Sequence, residues 1–209
     1  MNWAAGVATR RGRPVPRARA AGYLLVELLA AIALCLAVGA IALPQIGAQR
    51  DQILAAGAAR YLASRLYLTR AESLKRGVHV GMAFLTAGTS IRYGTFADGN
   101  RNGVRSAEVT QGVDRQVTPW ETLNDHFPGA ALGILPQVTD PDTGAPLGGN
   151  PLKLGGSSLL SFGPSGGATS GTLYVRGTRQ QQYAIRILGA TGRSRVLRFD
   201  FPARRWLPL

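Results

Sequence analysis

Residues 21–44 read A-G-Y-L-L-V-E-L-L-A-A-I-A-L-C-L-A-V-G-A-I-A-L-P, and the reading of this stretch decides the rest. From Tyr23 to Leu43, twenty-one residues are apolar save Glu27. At ~1.5 Å per residue, such a helix is long enough to cross a bilayer core. Ahead of it stand Arg10, Arg11, Arg13, Arg17 and Arg19 with no acid among them, a bias that keeps the N-terminus cytoplasmic. A secretory signal would put small residues and a cleavage site after the apolar run. Here the small pair, Ala21-Gly22, precedes it, and the run continues through Pro44 into further helix-compatible sequence.

Glu27 is the residue out of place. A carboxylate near the end of a membrane helix costs on the order of 3 kcal/mol or less, and such groups usually have a definite partner. A cut after Gly22 would give Tyr23 a new α-amine one turn from Glu27, able to neutralise the carboxylate of a neighbouring, axially offset helix. The pattern of Gly22, the aromatic Tyr23, Glu27 fifth after the junction and Pro44 twenty-second resembles the class III signal of type IV pilins and type II secretion pseudopilins. Tyr in place of the usual Phe, and Leu24 where Thr is common, depart from it. The resemblance implies removal of residues 1–22 by a prepilin peptidase and N-methylation at Tyr23. It also implies assembly with other pseudopilins or pilins through the N-terminal helix.

After the anchor, about 160 residues remain, enough for one domain with a core. The chain carries 24 Lys+Arg against 11 Asp+Glu, a formal net charge of +13, of which the leader arginines supply five. Such excess favours a polyanion or an acidic neighbouring subunit. The single cysteine, Cys35, lies in the apolar run and has no partner for an intramolecular disulfide.

Residues 45–76 turn amphipathic. Ile46, Ile53, Leu54, Ala58, Tyr61, Leu62 and Leu66 recur at helical spacing, with Arg50, Arg60, Arg65 and Arg70 between them, and Gly77 is a stop. Joined to the anchor they predict one helix of roughly 54 residues, ~80 Å long, kinked or locally melted at Pro44. Arg70 and the run Ala71-Glu72-Ser73-Leu74-Lys75-Arg76 resemble the helix end of the GspH/FimT family of minor pilins and pseudopilins.

Beyond Gly77 the period becomes two. Residues 78–84 and 91–96 read as strands of a hairpin turning across 86–90. Asp98-Gly99-Asn100-Arg101-Asn102-Gly103 opens like a calcium loop, but its twelfth position is Val109, and Glu108 stands one place early. It resembles more closely a turn of the GspH/FimT family. A structural turn is the preferred reading of Asp98, Asn100 and Asn102, with a weak Ca2+ site as the alternative. Residues 119–158, rich in proline and paired glycines, predict loops around short strands.

Gly163-Pro164-Ser165-Gly166-Gly167 matches the hydrolase elbow G-x-S-x-G. Its context does not. A strand rather than a helix follows, and both histidines, His79 and His126, precede it in the chain. His79, in an apolar strand, reads as a core or edge residue, and two distant histidines make no metal site. The expected role is not enzymatic and calls for no cofactor.

The last third predicts strands at 159–162, 172–176, 182–188 and 195–201, with a turn at 189–194. Arg176, Arg179, Arg186, Arg193, Arg195, Arg198, Arg204 and Arg205 face one acid, Asp200. Gly192-Arg193-Ser194-Arg195 puts two guanidiniums at a hairpin tip, a geometry suited to adjacent phosphates. It resembles the motif associated with DNA binding in FimT-type minor pilins of natural transformation, which makes Arg193, Arg195 and Arg198 DNA-binding candidates. Trp206 and Tyr183 could stack on bases, core burial being preferred for Tyr183. The bland reading is a solvated arginine face that discourages edge pairing.

The expected fold is α+β: a long N-terminal transmembrane/amphipathic helix packed on an antiparallel, pilin-like β domain, in two small sheets. The expected division is a leader at 1–22, a transmembrane helix at 23–44, an amphipathic helix at 45–76 and a periplasmic β domain at 77–209. Two roles fit: a minor pseudopilin of a type II secretion pseudopilus in the inner membrane, or a DNA-binding minor pilin of a type IV pilus.

Overall fold

A computed structural model describes the backbone of residues 24–209, and the side chains of these except residues 41–46. Gly22, Tyr23 and the leader lie outside the described residues. The chain forms two compact units, Met1–Leu43 and Pro44–Leu209.

The helix α1 runs from Leu25 to Arg76 and keeps helical backbone through Pro44, so the local melting expected there does not occur. In the first unit its side chains stand exposed: Leu25, Leu34 and Leu36 are each more than two-thirds accessible. Among the described residues no helix is long and apolar enough to cross a membrane.

In the second unit α1 lies on two antiparallel sheets. One follows the order β3-β2-β1-β6, built from β1 (Val80–Ala87), β2 (Ser90–Ala97), β3 (Arg115–Gln116) and β6 (Leu159–Phe162). The other follows β10-β9-β8-β7-β4, from β4 (Ala131–Leu132), β7 (Gly171–Arg176), β8 (Gln182–Leu188), β9 (Arg193–Asp200) and β10 (Arg205–Pro208). A short β5 (Leu152–Lys153) also pairs with β7. A short helix, α2 (Ser106–Gln111), follows the Asp98 turn, and another, α3 (Leu123–His126), sits in the region read as loops. The α+β class and the pair of sheets match the expectation.

The buried face of α1 is Ala55, Ala58, Ala59, Leu62 and Leu66, at most 1% accessible, against Met82 and Tyr93 of one sheet and Leu173, Val175, Tyr183 and Ile185 of the other. It continues with Asp51 below and Thr69 and Ser73 above, at helical spacing. Ile53 was expected on this face, yet it is 71% exposed. Small residues bring the helix axis close to both sheets, so alanines occupy positions where larger side chains would hold it off. At Gly57 even a methyl group would meet Phe127 Cε1 at 2.8 Å. Thr69 and Ser73 satisfy their hydroxyls on Arg65 O at 2.8 Å and Arg70 O at 2.8 Å.

The chain between the sheets is tied to the helix by Glu121. Its carboxylate accepts from Tyr61 at 3.2 Å, meets Arg65 Nε at 3.1 Å, and stands 3.2 Å from His126 Nε2. His79, expected within a strand, instead precedes β1 and is exposed. The β1–β2 turn is tighter than expected, since Ala87 pairs directly with Ser90 and Gly88 takes φ 61°. Gly163–Gly167 forms a closed turn, Gly163 N–H to Gly167 O at 2.8 Å, leading by a bridge at Phe162 and Ala168 back onto β6.

Candidate functional site

Glu27 occupies the first turn of α1, where a carboxylate favours the positive end of the helix dipole. It is exposed amid Leu24, Leu25, Val26, Leu28 and Leu29, all more than half accessible, and among the described residues it forms no ion pair. Pro44 contributes helical backbone, while its side chain and all of Gly22 and Tyr23 lie outside the described residues.

The second candidate is the β8–β9 hairpin. Strand β9 begins at Arg193, so the turn is Gly189–Gly192, closed by Gly192 N–H on Leu188 O at 2.8 Å with Gly192 at φ 62°. Arg193 and Arg195 are thus the first residues of a strand rather than a loop tip, both exposed. Register sets Arg195 opposite Arg186, whose guanidinium is 2.7 Å from Asp142 Oδ1. From α1, Arg70 reaches the hairpin and donates Nε–H to Gly166 O at 3.4 Å. Arg70, Arg186, Arg193 and Arg195, with Tyr67 and Leu188, line an open cleft of about 830 Å³.

Arg198 does not belong to this group. Alternation along β9 puts it on the face opposite to Arg193 and Arg195, paired with Tyr183 and half-buried beside Arg60 and Gln49. Tyr183 is fully buried. Trp206 is not free to stack on a base, because its Nε1–H donates to Thr139 O at 2.8 Å and its ring packs on Tyr174 and Phe199. Conversely, Arg70 and Tyr67 escaped the sequence reading. The signal was present in their i, i+3 spacing near the end of α1, but nothing local ties a helix end to a hairpin over a hundred residues away.

The Asp98 loop spends its carboxylate on its own backbone. Asp98 Oδ1 accepts the N–H groups of Asn100 and Arg101 at 3.1 and 2.7 Å, and Oδ2 that of Gly103 at 2.7 Å. Burial pushes this carboxyl up, but those backbone donors outweigh it and hold the group below its ordinary value. Asp114 similarly accepts from Gly99 N–H and Arg105 N–H. The side-chain amides of Asn100 and Asn102 both donate to Glu108. Among the described residues no group of three or more His, Cys, Asp or Glu could hold a metal ion.

A family model described as type II transport protein GspH matches residues 58–192, well over half of the chain. The chain belongs to the GspH family. No curated protein and no solved structure matches it. The GspH match begins within the buried face of α1 and covers β1 to β8 and the hairpin turn. Its last residue, Gly192, adjoins Arg193, so the arginine pair lies just beyond the matched stretch. GspH membership gives the chain a pseudopilin- or pilin-like role related to type II secretion, and implies association with other pseudopilins.

Proposed function

We propose that the chain is a minor pseudopilin subunit, processed after Gly22, N-methylated at Tyr23, held in the inner membrane by residues 23–44, and assembled near the tip of a secretion pseudopilus. The observation that carries this reading is the exposed first half of α1. A helix surface of Leu24, Leu25, Val26, Leu28, Leu29, Ile32, Leu34, Leu36 and Val38, each about half accessible or more, is far larger than the apolar patches a soluble monomer carries. Lipid before assembly and the helices of neighbouring subunits after it are surroundings that cover such a surface. The role is structural: an ATPase elsewhere drives extraction of the helix from the bilayer, and the chain needs no cofactor. Replacing Gly22 by valine is expected to block the prepilin peptidase, leaving a protein with unchanged, leader-bearing mobility on gels. Processing at the wild-type rate would contradict the proposal.

A second reading, a minor pilin that binds DNA, is favoured by one observation: the cleft where Arg70 joins Arg193 and Arg195. If it is right, the protein shifts duplex DNA with an affinity that falls steeply with salt. Arg193→Ala with Arg195→Ala should then weaken binding at least tenfold and flatten the salt dependence by about two phosphate contacts. Wild-type affinity in the double variant would remove the hairpin from consideration.

A further inference from the structure

The end of the domain opposite to the β8–β9 turn carries a different set of arginines. Strand β9 pairs Arg198 with Tyr183 and then runs on to Asp200, where β10 begins opposite with Arg205. The turn at residues 201–204 therefore leaves the sheet at the same end as the β7–β8 loop, residues 177–181. Asp51 fixes that end against α1, accepting Thr178 N–H at 2.8 Å, Thr178 hydroxyl at 2.7 Å and Arg179 N–H at 3.0 Å. The Arg179 guanidinium lies along the helix at Gly47, where a Cβ would be 3.1 Å from Nη2. Arg50, Arg179, Arg204 and Arg205 are all exposed, and among the described residues none forms an ion pair. Among the described residues the acids at this end offset them only in part: Asp51 is buried, engaged by residues 178 and 179 and close enough to feel the Arg179 charge, and Asp200 is half-buried.

Gly47 is four residues from Leu43, the last of the apolar run. Whatever course the chain takes through Pro44, covalent geometry keeps Gly47 within about 14 Å of Leu43. If residues 23–43 span the bilayer, the first polyanionic surface these guanidiniums meet is the headgroup layer, which is several ångströms deep. A guanidinium fork matches a phosphodiester oxygen pair bidentately, and weak hydration lets it work at an interface. We infer that Arg50, Arg179, Arg204 and Arg205 form a cationic collar that binds the headgroups of anionic phospholipids and seats the domain on the membrane before assembly. This inference rests on the membrane-anchored reading above.

The test uses the full chain with Cys35→Ala and Gln180→Cys, the new thiol carrying a polarity-sensitive fluorophore in the exposed β7–β8 loop. The chain is reconstituted in vesicles of phosphatidylcholine alone or mixed with phosphatidylglycerol. The expected result is flotation with both vesicles and a blue-shifted emission only with phosphatidylglycerol, reversed by added salt. Glutamine at all four arginines should abolish the shift, and lysine at the same positions, which keeps the charge without the bidentate fork, should restore only part of it. Equal emission in the two vesicles, or a shift that survives the glutamine variant, would overturn the collar while leaving the anchor intact. A chain that fails to float with neutral vesicles would overturn the anchored reading and the collar with it.

Discussion

Alanine at Glu27 is expected to leave leader removal intact and to reduce incorporation into the pseudopilus to background. Glu27 is exposed on an otherwise apolar helix surface, where an uncompensated carboxylate costs on the order of 3 kcal/mol or less in lipid. In the proposed assembly, the α-amine of Tyr23 on an adjacent subunit removes that cost and fixes the axial offset between helices. In the proposed processing the peptidase acts at the Gly22–Tyr23 junction, so cleavage should not depend on the acid. With alanine the subunit sits more comfortably in lipid and loses its register signal, and both effects oppose extraction. Immunoblots of membrane and sheared filament fractions read the outcome. Cleaved E27A protein present in filaments at wild-type levels would refute the charge-pairing account.

The largest stability effect is expected at Asp51. Its carboxylate receives two backbone N–H groups and a hydroxyl from residues 178 and 179, and it is the polar tie between the part of α1 in the second unit and the β7–β8 loop. Asp51→Ala leaves those donors without their acceptor, a loss of about 3 kcal/mol. For a domain of this size that lowers the melting temperature by roughly 6–12 °C. Burial pushes this carboxyl up, yet the Thr178 hydroxyl and N–H, the Arg179 N–H and the Arg179 charge together hold it below the ordinary 3.8. A depressed folded-state pKa means that the stabilisation is complete above the unfolded-state value and fades as pH falls through the lower, folded-state value. The gap between wild type and D51A should thus be constant at neutral pH and narrow only below about pH 4. Calorimetric melts across that range measure it, and a gap unchanged down to pH 2 would show that the carboxylate is not the tie.

Much of this architecture was legible because two periods dominate the sequence. The helix announced itself through residues 45–76 and its stop at Gly77, and the strands through alternation, as at residues 183–187. What escaped was governed by contacts between distant segments. Ile53 looks like a core residue, yet it faces outward because Ala55, Ala58 and Ala59 are what two close sheets admit. Strand β10 is only four residues with a proline, and pairing with β9 alone makes it a strand. The two-residue strands β3, β4 and β5 have too few positions for any period to show. Among the site residues, Arg198 could have been separated from Arg193 and Arg195 by parity alone. Joining Arg70 to them required the turn at Gly166, which lies between helix end and hairpin.

The most direct test of the central claim is the intact mass of the protein extracted from membranes of its native host. The account predicts a chain that begins at Tyr23 and carries one added methyl group on its amine. A chain that keeps its leader and an unmodified start would contradict it, reducing the molecule to a GspH-family β domain on an exposed apolar helix with no route into a filament.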